Sequence, residues 1–294
     1  PPRSTLFPYT TLFRSLITMI TDTLTETTSL PLNLNDYCNS DNQLYSSLKY
    51  AAFLQQGIFP KQRHFDRIFK ESFVLYMPKE IVSGDFYWLA EVDDLVYIAV
   101  GDCMGHGVPA ALLSVLVYNL LDYAILNKRI KRTCKILKEI DKRFAESFTS
   151  AEQNQVFNND WVDISLCCID RRKKQIHFSG AHHKIYLAGT DYFKVFKGVF
   201  NPVGSWQVNR QSNFESVSFC YNDNDILYLG SDGFQDQVGE INDMKYKGVC
   251  LQRYIRSISC LPLTEQKTEL ENEFFRWKGK NRQSDDVCIV GVKL

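Results

Sequence analysis

From residue 73 onward, short apolar runs alternate with polar clusters, and the runs read as strands: residues 73–76, 85–92, 95–100, 162–169, 175–180, 184–188, 192–197, 214–219, 225–229 and 287–293. Several, such as 95–100 and 226–229, are apolar without a break, as expected of strands buried on both faces. Helical spacing takes over between them. Pro109 suits the first turn of a helix, and residues 110–126 are apolar nearly all round, which predicts a buried helix. Residues 129–148 place Ile130, Cys134, Leu137, Ile140 or Asp141, Phe144 and Phe148 on one face. The other face carries Lys131, Arg132, Lys135, Lys138, Lys142 and Arg143, a charge run that reads as solvated. Two late helices, 247–259 and 263–276, precede the final strand. This order predicts an α+β fold in which helices cover a β core of two sheets.

Ahead of the strands, Ser40 or Asp41 could cap a helix running to about residue 56, with Leu44, Leu48, Ala51, Ala52 and Gln55 on one face and Gly57 as its stop. Residues 39–62 are therefore read as an amphipathic linker or switch helix, and 16–38, rich in Thr, Asn, Leu and Asp, as a linker. Residues 1–15 (PPRSTLFPYTTLFRS) follow neither period and read as a translated sequencing adapter, outside any fold reasoning. On that expectation an upstream region, such as a sensor domain, is missing from this chain.

Composition narrows the picture. The 294 residues, 45% of them hydrophobic, suffice for one large domain with an appendage. Basic and acidic residues balance at 34 each, so no overall field favours nucleic acid or an anionic membrane. Nine cysteines with no C-x-x-C pair, two of them adjacent at Cys167-Cys168 in an apolar run, read as buried reduced thiols of a cytoplasmic protein. No apolar stretch reaches the roughly 18 residues of a membrane span; the longest, 109–121, reads as a buried helix.

The candidate chemistry lies at the ends of the strands. Five acidic motifs recur: Ser83-Gly84-Asp85, Gly101-Asp102-Cys103-Met104-Gly105-His106-Gly107, Trp161-Val162-Asp163, Ser231-Asp232-Gly233 and Asp285-Asp286. Two follow apolar runs and one precedes another, so a folded sheet could gather their carboxylates. Two unit charges about 4 Å apart repel by roughly 4 kcal/mol at an effective dielectric near 20. Clustered carboxylates therefore call for cations, and hard oxygen ligands point to Mg²⁺ or Mn²⁺. The segment 97–110 admits three readings. Gly105-x-Gly107-x-x-Ala110 fits a dinucleotide fingerprint, but a basic helix follows where that fold needs a strand ending in an acid. A Walker loop lacks its Gly-Lys-Ser/Thr. In the metal reading, Asp102 bridges two ions and the Cys103 carbonyl joins the shell.

The ordered set is more specific than any member. FVLYMPKEIVSGDFYW at 73–88, GDCMGHGVPAALLS at 101–114, SGAHHKIYLAG at 179–189, Asn201-Pro202-Val203-Gly204, SDGFQDQVG at 231–239 and QSDDVCIVGVKL at 283–294 resemble, in order, the bacterial SpoIIE-like branch of the PPM-type metal-dependent serine/threonine phosphatases, relatives of protein phosphatase type 2C. The resemblance covers residues 40–294, with the phosphatase domain at 63–294. It implies a four-layer α-β-β-α sandwich of two mainly antiparallel sheets flanked by helices, with two Mn²⁺ or Mg²⁺ ions at one end. Carried onto this sequence, it puts Asp85 at the metal shell or one water away, Asp102 at the bridging position with the Cys103 carbonyl beside it, Asp232 on the second ion and Asp285 as the late ligand. Asp286 is counted with this metal set as a hydrogen-bonding member, and Asp163 falls where the family has an acid. Asp102 and Asp232 are then the catalytic carboxylates. His106 is either only a hydrogen-bonding partner or an acid or donor near the leaving oxygen.

Trp161-Val162 stands where the family commonly has Gly-Met, and His183 where Asn is frequent. No arginine matches the phosphate-gripping residue of the eukaryotic relatives. The function implied is hydrolysis of phosphoserine or phosphothreonine by a metal-activated water, with a STAS-type anti-sigma-factor antagonist in a partner-switching pathway as substrate. A homodimer through the N-terminal helix is a further expectation. The rival reading is a catalytically inactive phosphatase-fold module that signals by binding; the presence of all four principal carboxylates weighs against it.

Overall fold

Both faces of the central strands are buried, and the layering explains why. The computed structural model describes residues 34–148, 160–204 and 213–294. In chain order the elements are α1 (Leu34–Ile58), α2 (Gln62–Ile68), β1 (Ser72–Met77), β2 (Asp85–Val92), β3 (Leu95–Cys103), α3 (Gly107–Asp122), α4 (Thr133–Phe148), β4 (Val162–Asp170), β5 (Gln175–Ala181), β6 (Lys184–Ala188), β7 (Phe193–Lys197), β8 (Val217–Cys220), β9 (Ile226–Gly230), α5 (Gly233–Asp236), α6 (Gly248–Ile258), α7 (Leu263–Lys278) and β10 (Val287–Lys293). Contacts divide the chain into Pro1–Ser47 and Leu48–Leu294. Of the first unit only the opening of α1 is described; the adapter reading of 1–15 and most of the linker reading lie outside the described residues.

The strands form two antiparallel sheets, ordered β1-β10-β9-β6-β7 and β2-β3-β4-β5-β8. Alternate residues of one strand serve different layers. In β9, Leu227 and Leu229 enter the seam between the sheets, while Ile226 and Tyr228 pack beneath α6 and α7 with Leu251, Ile255, Leu270 and Phe274. In β3, Val96, Ile98 and Val100 face the seam, while Tyr97 and Ala99 pack beneath α3 and α4 with Val117, Leu121, Ile136 and Leu137. Each buried Val, Leu, Ile or Phe among them gains about 1.5–3 kcal/mol from burial. This is the four-layer α-β-β-α sandwich, and it accounts for the unbroken apolar runs.

Several boundaries differ from the sequence reading. Gly57 does not stop α1, which continues to Ile58, just short of Pro60. On that helix Gln55 is buried and Leu48 and Ala52 are half-buried, whereas Leu44 and Ala51, assigned to the same face, are exposed. A second apolar set, Tyr50, Phe53 and Leu54, is also exposed. Arg129 adopts φ 55°, so α4 starts only at Thr133, whose hydroxyl is 2.7 Å from that of Ser179. The short helices α2 and α5 carry too few residues to show a period. Helix α3 passes into a π-helical turn, Tyr123–Asn127, making a continuous helix of 21 residues that is long and apolar enough to cross a membrane by length and composition. The sequence reading carried the buried helix to residue 126 but counted only 109–121 as its longest apolar stretch. Ala110, Leu113, Val117, Leu121 and Ala124 pack it on the second sheet as a core helix. The described cysteines are all free: Cys103, Cys134, Cys167, Cys168 and Cys288 are buried, but Cys220, Cys250 and Cys260 are exposed, against the expectation of buried thiols throughout.

Candidate metal centre

Strand register gathers the first three aspartates. Asp85 opens β2 opposite Asp102 near the end of β3, and Asp102 in turn lies opposite Asp163 on β4. A cross-strand row puts neighbouring Cβ atoms about 4.5–5.5 Å apart on one face, where like charges destabilise the sheet. The other sheet supplies the rest. Ile289 of β10 pairs with Gly230 of β9, so Ser231-Asp232, just after β9, sits beside Asp285-Asp286, just before β10. Gly233 makes the approach feasible, because a Cβ there would collide with the Asp286 carbonyl oxygen.

Hydrogen bonds lock this arrangement. The Ser231 hydroxyl donates to Asp85 Oδ2 at 2.5 Å, joining the two sheets, and accepts from the Cys288 N–H at 3.0 Å. Asp286 accepts from the N–H of Lys79 (2.7 Å) and of Gly84 (2.8 Å), one on each oxygen, and so braces the loop that carries Asp85. Gln55 of α1 reaches the same loop: its amide donates to the Ser83 carbonyl at 2.6 Å and accepts from the Ser83 N–H at 3.2 Å.

The electrostatics are those of crowded anions. Burial, then repulsion from Asp286, Asp232 and Asp285, holds the Asp85 carboxyl well above the usual carboxylate range, although Ser231 pulls it down. Burial, then Asp85, Asp232, Asp285 and Asp163, does the same to Asp102. Asp232 and Asp285 are also raised, chiefly by burial. Asp102 and Asp232 act on each other's ionisation across the two sheets, and only a proton or a cation between such carboxylates makes their approach favourable. Asp85 Oδ1 is buried with no hydrogen-bond partner. All-oxygen donors, an unpartnered buried carboxylate oxygen and mutual repulsion fit a hard divalent cation. Among the described residues, no three such side chains are already closed around one point.

The remaining predicted residues sort themselves. The Cys103 thiol is fully buried in the hydrophobic layer under α3 and is pushed up by burial, leaving only its carbonyl for a metal shell. That carbonyl faces Gly84, where a Cβ would come within 2.9 Å. His106 flanks the start of α3 with Nδ1 2.6 Å from Glu80 Oε1, both side chains about half exposed. The imidazole tied to the aspartates is instead His182, whose Nδ1 is 2.6 Å from Asp163 Oδ2 and whose charge also lowers Asp232. Sequence reasoning passed over it for its neighbour His183. No local pattern marked it: His182 follows β5 and comes beside Ile164 of β4 through an isolated parallel bridge. His183 is buried, and its pKa falls to about 3 through burial, so the fold holds it neutral.

Comparison with known proteins agrees with this geometry. Residues 93–294 match the profile of the family described as Stage II sporulation protein E (SpoIIE). The chain is 24% identical over 224 residues to the phosphoserine phosphatase RsbP of Bacillus subtilis (strain 168), covering 74% of this chain and 51% of that protein, about half of the relative's length. The fold superposes on the SiaA-PP2C domain of Pseudomonas aeruginosa with a TM-score of 0.77 and 28% identity, covering 87% of this chain and 98% of that one. It also matches the PP2C phosphatase domain with a regulatory fragment of SpoIIE from Bacillus subtilis, with a TM-score of 0.60 and 19% identity over 76% of this chain and 63% of that one, a likeness of fold.

Proposed function

The chain belongs to the SpoIIE family, and from that premise we propose that it is a metal-dependent protein phosphatase acting on phosphoserine or phosphothreonine. The observation that carries this reading is the convergence of Asp85, Asp102 and Asp163 in one cross-strand row with the Ser231-Asp232 segment of the other sheet, joined by the 2.5 Å Ser231–Asp85 hydrogen bond, amid carboxylates whose charges repel one another. Asp102, Asp232 and Asp285 would hold paired Mn²⁺ or Mg²⁺ ions, with Asp85 and the Cys103 carbonyl completing the shell. Two such ions, when bound, supply a water of lowered pKa as nucleophile and neutralise charge on the phosphoryl oxygens.

The chain's own residues prepare this site. Ser231 fixes one oxygen of Asp85, leaving the other free to face a cation or its water. Asp286 and Gln55 hold the loop on which Asp85 depends. Asp163 engages His182 at Nδ1, which frees Nε2 to hydrogen-bond a phosphoryl or departing seryl oxygen. His106, engaged by Glu80, is the second candidate for that role. The relative's name, phosphoserine phosphatase, supports phosphoserine as the substrate chemistry. We extend this to a phosphorylated STAS-type antagonist of an anti-sigma factor in the cytoplasm. The grip of Gln55 on Ser83 supports a route by which α1, through a dimer partner or an upstream sensor, could set the position of Asp85; the exposed Phe53 and Leu54 offer a surface for it.

The test is release of phosphate from a phosphoserine peptide by the purified chain. Turnover that appears with Mn²⁺ or Mg²⁺ and vanishes with chelator is expected. A folded chain that binds the peptide but releases nothing at any metal concentration would favour the inactive, binding-only reading.

A further inference from the structure

Beside the aspartates lies a cavity of about 160 Å³, walled in part by Asp163, His182, Lys184, Tyr186, Asp232 and Gln235. Lys184 and Tyr186, two residues apart on β6, share the outer face of the first sheet. Lys184 Nζ donates to Gln235 Oε1 at 3.2 Å and stands 5.8 Å from the centre of the Tyr186 ring. It makes no salt bridge among the described residues; burial and the nearby Lys197 act against its charge, and Asp232 only partly offsets them. Tyr186 is 5% exposed, and its hydroxyl has no hydrogen-bond partner among the described residues. An ammonium with no salt bridge and a buried hydroxyl with no partner, among the described residues, thus line the cavity that also contains Asp232. One anion bound there would satisfy both.

We propose that Lys184, backed by the Tyr186 hydroxyl, is the residue that grips the phosphoryl group of the substrate while the aspartates hold the metals. The proposal rests on the phosphatase reading. It also gives the phosphate a side-chain partner in a sequence where no arginine matches the phosphate-gripping residue of the eukaryotic relatives. Geometry supports the assignment: Ile185 pairs with Leu229, which puts Lys184 level with Gly230 at the sheet end where Asp232 follows. Gln235, one turn beyond Asp232 on α5, orients the ammonium, and a Cβ at Gly248 would come within 2.7 Å of it. The cation is therefore held in place before substrate arrives.

The experiment compares the full chain with Lys184→Met and Lys184→Arg, with Mn²⁺ present. Four quantities are read: KM and kcat for a phosphoserine peptide, the inhibition constant of inorganic phosphate, and Mn²⁺ affinity by calorimetry. Lys184→Met is expected to raise KM and the phosphate inhibition constant about tenfold or more, with Mn²⁺ affinity unchanged and Lys184→Arg restoring most of the loss. Tyr186→Phe should give a smaller rise in both. An unchanged phosphate inhibition constant in Lys184→Met overturns the proposal. So does a KM rise confined to peptides with an acidic residue beside the phosphoserine, which would make Lys184 a reader of flanking sequence. A wild-type chain that binds Mn²⁺ yet neither turns over nor is protected by phosphate removes the phosphatase reading itself, an outcome distinct from both.

Discussion

The seam between the sheets and the carboxylate end of the same sheets are built from the same strands on opposite principles. In the seam, Ile98, Val100, Leu227, Leu229 and Val290 bury apolar surface against one another and each contact favours folding. A few residues along those strands, Asp85, Asp102, Asp232 and Asp285 are drawn from solvent into mutual repulsion. The fold holds them there because Ser231, Asp286 and the β2–β3 register leave no alternative. One region supplies stability and the other consumes it, as expected where a site must bind something that is not part of the chain.

The sharpest way to break that contrast is at its centre. Asp102→Asn should lower phosphatase turnover by orders of magnitude, yet raise the thermal midpoint of the metal-free protein, because a repelling charge is gone. The opposite substitution in character is Ile98→Ala in the seam, which should cost about 2–5 kcal/mol in denaturant unfolding. It should leave Mn²⁺ affinity of the folded fraction unchanged. A mutation that behaved alike in both assays would dissolve the distinction. Ser231→Ala removes the hydroxyl that orients Asp85 across the sheets, and Mn²⁺ affinity should fall about 10–100-fold, read by titration calorimetry.

The smallest effect is in acid, where two kinds of buried group have opposite signs. His183 has a folded pKa of about 3, below its ordinary 6.5. The stability it confers is full above pH 6.5 and drains away as pH falls toward 3, because only the unfolded chain takes up the proton there. The carboxylates of Asp85 and Asp102 are raised above 3.8. In the metal-free chain their contribution is present at low pH and is lost as pH rises through their folded values. Urea unfolding of His183→Asn between pH 4 and 7 should therefore show a shallower loss on acidification than the unsubstituted chain. Mn²⁺, which binds the deprotonated carboxylates, should bind more weakly as pH falls.

Much of this was legible before the fold. Strands such as β2, β6 and β10 have the bounds their apolar runs suggested, because burial on both faces leaves little room for polar residues. The aspartates could be read as a set because each sits at the end of such a run. What could not be read depends on register. The pairing of His182 with Asp163 follows from β4 lying beside β5, which no local period encodes. Likewise Lys184 meets Gln235 only because β6 lies beside β9 and α5 follows it. The inward face of α1 was misjudged at Leu44 and Ala51, because an apolar stripe on a helix does not say which part of it finds a partner. Gln55, a polar residue, proved the most buried of the set through its bonds to Ser83.

The most direct measurement is the number of Mn²⁺ ions bound per folded chain, by calorimetry with parallel elemental analysis. Two ions for the unsubstituted chain, with at least one lost in Asp102→Asn and no change in overall fold by circular dichroism, is the predicted result. Binding of none, or of the same number after the substitution, would contradict the claim that these aspartates converge to hold paired cations.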